Sequence, residues 1–140
     1  MKPNNSHQEE LIIPGSLAAL EQVHAWVVEK ISVVEIRDED RHNILLAVSE
    51  AVTNAIRHGS KEKVQNAVEI HFRLDGNAIT FEVHDSGEGF SPDALPDPTS
   101  DEHLFQTGGR GVFLLKALAT NVQFLSTDTG TTVSFSFTWD

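Results

Sequence analysis

The stretch Asp38-Glu39-Asp40-Arg41-His42-Asn43-Ile44-Leu45-Leu46-Ala47-Val48-Ser49-Glu50-Ala51-Val52-Thr53-Asn54-Ala55-Ile56-Arg57-His58-Gly59 decides the fold. Ile44, Val48, Ala51, Val52 and Ala55 recur at i, i+4, i+7, i+8 and i+11, which predicts an amphipathic helix over residues 39–58. Asp38 is the expected cap, and Glu39 and Asp40 fill the first turn, where the helix dipole favours negative charge. Gly59 marks the C-terminal end. Beside the apolar stripe runs a polar row, Glu50, Asn54 and His58, spaced i, i+4, i+8. Such a row drifts by about 40° per step and faces the rim of a cleft.

Working outward, the N-terminal side is helical and the C-terminal side is extended. Residues 1–8 are expected to be a flexible tail, and Leu11, Ile12 and Ile13 to lie in a short strand over 9–13. Pro14-Gly15-Ser16 breaks it and offers Ser16 as an N-cap for a helix over 17–30, with Leu17, Leu20, Val23 and Val27 at helical spacing. After Gly59 the period becomes two. Residues 67–74 and 78–84 alternate around Asp75-Gly76-Asn77, a hairpin signal. Val68, Ile70, Phe72 and Leu74 share one face, as do Ile79, Phe81 and Val83. A third helix is predicted over 111–120, and a closing hairpin over 122–127 and 131–139. The order of strand, two helices, two strands, helix and two strands implies an α+β two-layer sandwich. Its sheet is mostly antiparallel and covered on one face by helices. Residues 9–140 then form one domain. Its longest irregular stretch, residues 86–108, carries three prolines and five acidic residues and reads as a lid loop.

Bulk properties narrow the function. The chain has 140 residues, is 39% hydrophobic and 22% charged, and carries a formal charge of −11. That acidity repels phosphate backbones and anionic lipid heads, so neither nucleic acid nor membrane is an expected partner. The absence of cysteine excludes disulfides, thiol catalysis and cysteine-type zinc sites. No apolar run approaches the ~20 residues of a membrane span, and the polar N-terminus has no signal-peptide core, so a cytoplasmic protein is expected. His42, His71, His84 and His103 are not clustered at metal-ligand spacing in sequence, and no transition-metal site is expected from them. Trp26 and Trp139 read as core or interface aromatics.

Three segments carry chemistry. In the first, the neutral carbonyl of Asn54 suits Mg²⁺ beside phosphates, and Glu50 one turn earlier can take a proton from an attacking hydroxyl or water. In the second, Asp85-Ser86-Gly87-Glu88-Gly89-Phe90, a carboxylate at a strand end can accept the exocyclic amine of adenine. Gly87 and Gly89 let the backbone approach a ligand closely. In the third, Gly108-Gly109-Arg110-Gly111-Val112-Phe113 opens a helix, whose backbone N–H groups bind phosphate while Arg110 adds charge. A P-loop is absent.

Taken together, the three segments resemble the N-box, G1 box and G2 box of the Bergerat-type ATP-binding fold of gyrase, heat-shock-90, histidine-kinase and MutL ATPases. The likeness spans about residues 10–138. Within that superfamily, Ala47-Val48-Ser49-Glu50-Ala51-Val52-Thr53-Asn54-Ala55-Ile56-Arg57-His58-Gly59 and the run from Gly108 to Ala119 look most like the RsbW-like anti-sigma-factor serine-protein kinases of partner-switching systems. The resemblance implies ATP and Mg²⁺ as cofactors, Glu50 as catalytic base and Asn54 as the Mg²⁺ ligand. It further implies Asp85 as adenine reader, Gly87 and Gly89 as the G1 turn, and Gly109, Arg110 and Gly111 at the phosphates. His58 fills a position near the phosphates, in a packing or binding role. A sigma factor and a STAS-domain anti-anti-sigma protein are the implied partners, with a homodimer as the family's tendency. The chain departs from the commonest pattern at Ala119-Thr120-Asn121-Val122, where an acidic pair often precedes the final strand. Two rival readings stand beside the kinase. One is an ATP-binding partner-switch regulator without strong kinase activity, and the other is a detached catalytic domain related to histidine kinases.

Overall fold

The computed structural model describes residues 7–85, 115–127 and 130–139. Five strands form one antiparallel sheet: β1 (His7–Ile13), β2 (Val68–Asp75), β3 (Ala78–Asp85), β4 (Thr120–Thr127) and β5 (Gly130–Thr138), in the order β1-β2-β3-β5-β4. Two helices, α1 (Leu20–Ile31) and α2 (Asp38–Asn54), precede β2. A 3₁₀ turn, Leu17–Ala19, leads into α1, and a π-helical turn, Ala55–Gly59, extends α2.

Alternation fixes which face of the sheet is covered. Ile70, Phe72, Ile79, Phe81, Val83, Val133 and Phe135 are buried on one side. Register places Phe72 opposite Phe81 and Phe81 opposite Phe135. Their ring centroids lie 5.6 and 5.8 Å apart, a row of aromatics across three strands. Ile44, Ala47, Val48, Ala51 and Val52 of α2 and Val23, Val27 and Ile31 of α1 complete the same core. The opposite face carries Glu69, His71, Arg73, Thr80, Glu82, His84, Ser134 and Ser136, none of them buried. This is the two-layer sandwich that the sequence predicts.

Several boundaries differ from expectation. β1 begins at His7, which pairs with Leu74, and Gln8 pairs with Arg73, so residues 7 and 8 belong to the sheet and not to a tail. Ser16 does cap, accepting a hydrogen bond from Ala18 N–H at 3.3 Å, but it caps the 3₁₀ turn. Arg37, in extended conformation, occupies the N-cap of α2, and Asp38, Glu39 and Asp40 form its acidic first turn. Residues 115–118 are helical, but Thr120 already opens β4, earlier than predicted. In the first hairpin, Gly76 adopts φ 64° with open space around it, so a glycine is needed there for conformation.

Candidate functional site

The site is built where the C-terminal end of α2 meets the C-terminal end of β3. Glu50 and Asn54 lie one turn apart on α2, and both are half-buried. Their neighbours Ala51, Val52 and Ala55 face the core, so the polar pair sits on the core's rim. His58 is also half-buried, but it lies within the π-turn. A π-turn takes more residues per revolution than an α-turn, so the stripe of Glu50 and Asn54 does not continue straight to His58.

Asp85 ends β3 on the covered face and is 4% exposed. It pairs with Val68 on one side and Thr131 on the other. Thr131 N–H donates a long hydrogen bond to Asp85 Oδ1 at 3.4 Å. The Thr131 hydroxyl meets that of Ser126 at 3.1 Å, so the adjoining β5 and β4 ends are also joined by polar contacts. The π-turn packs on both β3 and β5. At its end, Gly59 is buried, and a Cβ there would overlap the Cβ, Cγ and Oδ2 of Asp85. The backbone of the first segment thus lies directly against the carboxylate of the second.

Behind this contact the chain is braced. Ser60 is fully buried and its hydroxyl donates to Ile56 O at 2.7 Å. Asn66 Nδ2 donates to Ser60 O at 3.2 Å, and Glu62 N–H donates to Ile56 O at 2.8 Å. Gly15 closes against the same loop: a Cβ would overlap Lys63 O, Asn66 O and Ser60 Oγ.

The structure therefore brings the first and second segments together through Gly59 and Asp85. Gly87 and Gly89 of the second segment, Gly109, Arg110 and Gly111 of the third, and the predicted lid lie outside the described residues. The sequence reading took Gly59 only as a helix stop and missed Thr131 and Ser60. Neither carries a sequence signal: Thr131 contributes a backbone N–H, and the Ser60 hydroxyl bonds a nearby backbone carbonyl.

The arrangement offers a buried acceptor at a strand end, backbone with no room for a side chain beside it, and a carboxylate and carboxamide on the adjoining helix. Comparison with known proteins identifies the family and agrees with the fold. Residues 13–137 match the profile of the histidine kinase-like ATPase domain. Serine-protein kinase RsbW of Bacillus licheniformis is 30% identical over 107 residues, covering 70% of this chain and 64% of the relative. Serine-protein kinase RsbW of Staphylococcus aureus strain bovine RF122 / ET3-1 is 30% identical over 105 residues, covering 70% and 65%. The chain thus spans just under two thirds of these curated relatives. Among solved structures, the RsbU and RsbW domains of Rv1364c from Mycobacterium tuberculosis superpose with a TM-score of 0.70 at 19% identity, covering 94% of this chain and 32% of that one. The histidine kinase domain of a blue-light activated histidine kinase from Erythrobacter litoralis gives 0.56 at 22% identity, covering 89% and 61%. These two likenesses concern the fold.

Proposed function

The chain belongs to the histidine kinase-like ATPase domain family, and within it we propose an ATP- and Mg²⁺-dependent serine/threonine-protein kinase of a partner-switching system. Its substrate would be a STAS-domain anti-anti-sigma protein, and its sequestered partner a sigma factor. The buried carboxylate of Asp85, which accepts Thr131 N–H and packs on Gly59, carries the nucleotide part of this reading. The serine-protein kinases that share 30% identity support the class of acceptor.

The residues present fit the nucleotide. A carboxylate has about four lone-pair sites, so Asp85 can accept Thr131 N–H and an exocyclic amine together. The side-chain carbonyl of Asn54 would hold Mg²⁺ without adding negative charge beside phosphates. When bound, the ion supplies neutralisation of phosphate charge. Glu50 would take the proton of the acceptor hydroxyl as its oxygen bonds to the γ-phosphorus. The bond from that phosphorus to the bridging oxygen breaks, and ADP leaves.

The test is incubation with Mg-ATP and STAS-domain proteins from the same genome, followed by mass spectrometry for phosphoserine and phosphothreonine. Transfer to one of them is the expected result. Nucleotide binding with no transfer would point to a regulator that sequesters its partner without kinase activity. A chain that binds no nucleotide would end both readings.

A further inference from the structure

The open face of the sheet holds a cluster that sequence spacing does not reveal. Glu69 and His71 stand two apart on β2, on the same face, and Glu10 of β1 pairs with His71. The other neighbours come from β3, where Glu82 pairs with His71 and His84 with Glu69. One nitrogen of His71 and one oxygen each of Glu10 and Glu69 lie within 4.8 Å of one another. His71 Nδ1 is 3.5 Å from Glu10 Oε2, and His71 Nε2 is 3.5 Å from Glu69 Oε1. A concavity of about 330 Å³ lies beside this row, lined by Glu10, His71, Arg73 and Glu82 among others but not by Glu69.

We propose that Glu10, Glu69 and His71 form a binding site for a transition-metal dication of the zinc type, which clamps the edge strand β1 to β2. Three observations carry this. Contacts of 3.5 Å exceed the usual hydrogen-bond range of ~2.7–3.2 Å, so the imidazole is not saturated by these carboxylates. One imidazole nitrogen and one oxygen of each carboxylate already lie within 4.8 Å of one another, so small side-chain rotations bring them to metal–ligand bonds of ~2.0–2.2 Å. Like charges crowded on one sheet face repel. Here Glu10, Glu69 and Glu82 surround one imidazole, and Arg73 is the fixed cation of β2 on that face. A dication relieves that repulsion. An imidazole with carboxylates selects zinc-type ions over Mg²⁺, so this site is chemically distinct from one that serves phosphates. A water or Glu82 can fill the fourth position. Among the described residues β1 has a neighbour on one side only, so a cross-strand clamp there holds an edge strand.

Calorimetric titration of the nucleotide-free full chain with zinc chloride tests the site. One zinc per chain is expected, with equimolar magnesium chloride failing to compete. His71→Ala should weaken binding at least tenfold, and so should the double change Glu10→Gln with Glu69→Gln, which keeps the test decisive if the histidine variant does not fold. Hydrogen exchange of residues 7–13 should slow when zinc is added. Absence of saturable binding, or equal affinity in the variants, overturns the proposal. So does zinc that binds without slowing exchange in β1.

Discussion

Gly59 and Asp85 share one space: a side chain on Gly59 would stand where the Asp85 carboxyl group stands. Both residues are buried, and Gly59 does not have a positive φ. The glycine is therefore required for close approach and not for backbone conformation. Gly59→Ala must displace either the π-turn or the carboxylate. Overpacking of this kind costs about 1–3 kcal/mol, so the denaturant midpoint should fall. If the proposed pocket is right, ATP affinity should fall with it. A variant as stable as wild type would mean that the two residues separate in solution.

Asp85 itself is the sharper probe of base recognition. Loss of a hydrogen bond to a buried charged group costs about 1.5–3 kcal/mol. Asp85→Asn should thus weaken ATP binding at least ~10-fold, with an unchanged circular dichroism spectrum. Preference for ATP over GTP should shrink in parallel. Equal ATP affinity in the variant would remove Asp85 from the pocket.

Glu50 and Asn54 sit one turn apart yet have separable proposed roles. Glu50→Gln should keep nucleotide binding and lose phosphoryl transfer, because it removes a base and no phosphate contact. Asn54→Ala should lose the Mg²⁺-dependent part of nucleotide binding. A fluorescent ATP analogue titrated with and without Mg²⁺ separates these outcomes. Wild-type transfer rates in Glu50→Gln would assign the proton to another group.

Much of this layout is legible in the sequence, and the exceptions have physical causes. The helix over 39–58 is legible because its apolar residues recur at helical spacing, and Ile44, Val48, Ala51, Val52 and Ala55 are all buried. The π-turn is not legible, because one extra residue per revolution leaves no mark in a stretch as short as Ala55–Gly59. Glu50, Asn54 and Asp85 were singled out as candidates from residue type and placement. Thr131 was not, because its contribution is a backbone N–H, which every non-proline residue has. The cluster of Glu10, Glu69 and His71 depends on strand register, which spacing along one chain does not give. The departure at Ala119-Thr120-Asn121-Val122 coincides with an irregularity in β4, where register shifts between Thr120 and Gln123 and Asn121 has φ 54°. Asn tolerates that region better than most residues.

Glu9 on the other side of β1 makes a pH-dependent tie. Lys30 of α1 donates to Glu9 Oε1 at 2.7 Å, and His7 meets Glu9 Oε2 at 2.5 Å. These contacts, Lys30 first, hold the Glu9 carboxyl below its ordinary value of 4.5. The hydrogen bond to Glu9 likewise raises the Lys30 ammonium above its ordinary 10.5. A lowered carboxyl contributes stability that is complete above 4.5 and is lost as pH falls through the folded value. The raised ammonium contributes fully below 10.5, and its share is lost as pH rises beyond the folded value. Glu9→Gln should therefore be less stable than wild type at pH 7, and the gap should close as pH falls below 4.5 through the lowered folded value. Added salt should shrink the gap, because the pair is partly exposed. Parallel curves from pH 7 to pH 3 would show that Glu9 contributes no linked protonation.

The loop behind the site stores backbone strain at two consecutive residues. Lys61 and Glu62 have φ of 55° and 57°. The left-handed region costs an ordinary L-residue about 1–2 kcal/mol. Hydrogen bonds within the loop hold it there: Glu62 N–H to Ile56 O at 2.8 Å, Lys63 N–H to Ser60 O at 3.0 Å and Asn66 N–H to Lys63 O at 2.9 Å. Gly15, with no space for a Cβ, closes the loop from the β1 side. Glu62 is exposed, so a substitution there acts mainly through the backbone. Asn adopts this conformation readily and adds little unfolded-state freedom, whereas Gly adds about 0.4–1 kcal/mol of it. Glu62→Asn should therefore stabilise the protein by about 0.5–1 kcal/mol, and more than Glu62→Gly. Glu62→Val should destabilise it, because a β-branched residue fits that region poorly. Urea midpoints for the three variants order them directly. A valine variant as stable as the asparagine one would mean that the loop relaxes out of this conformation in solution. The bracing of Gly59 against Asp85 would then depend on Ser60 and Asn66 alone.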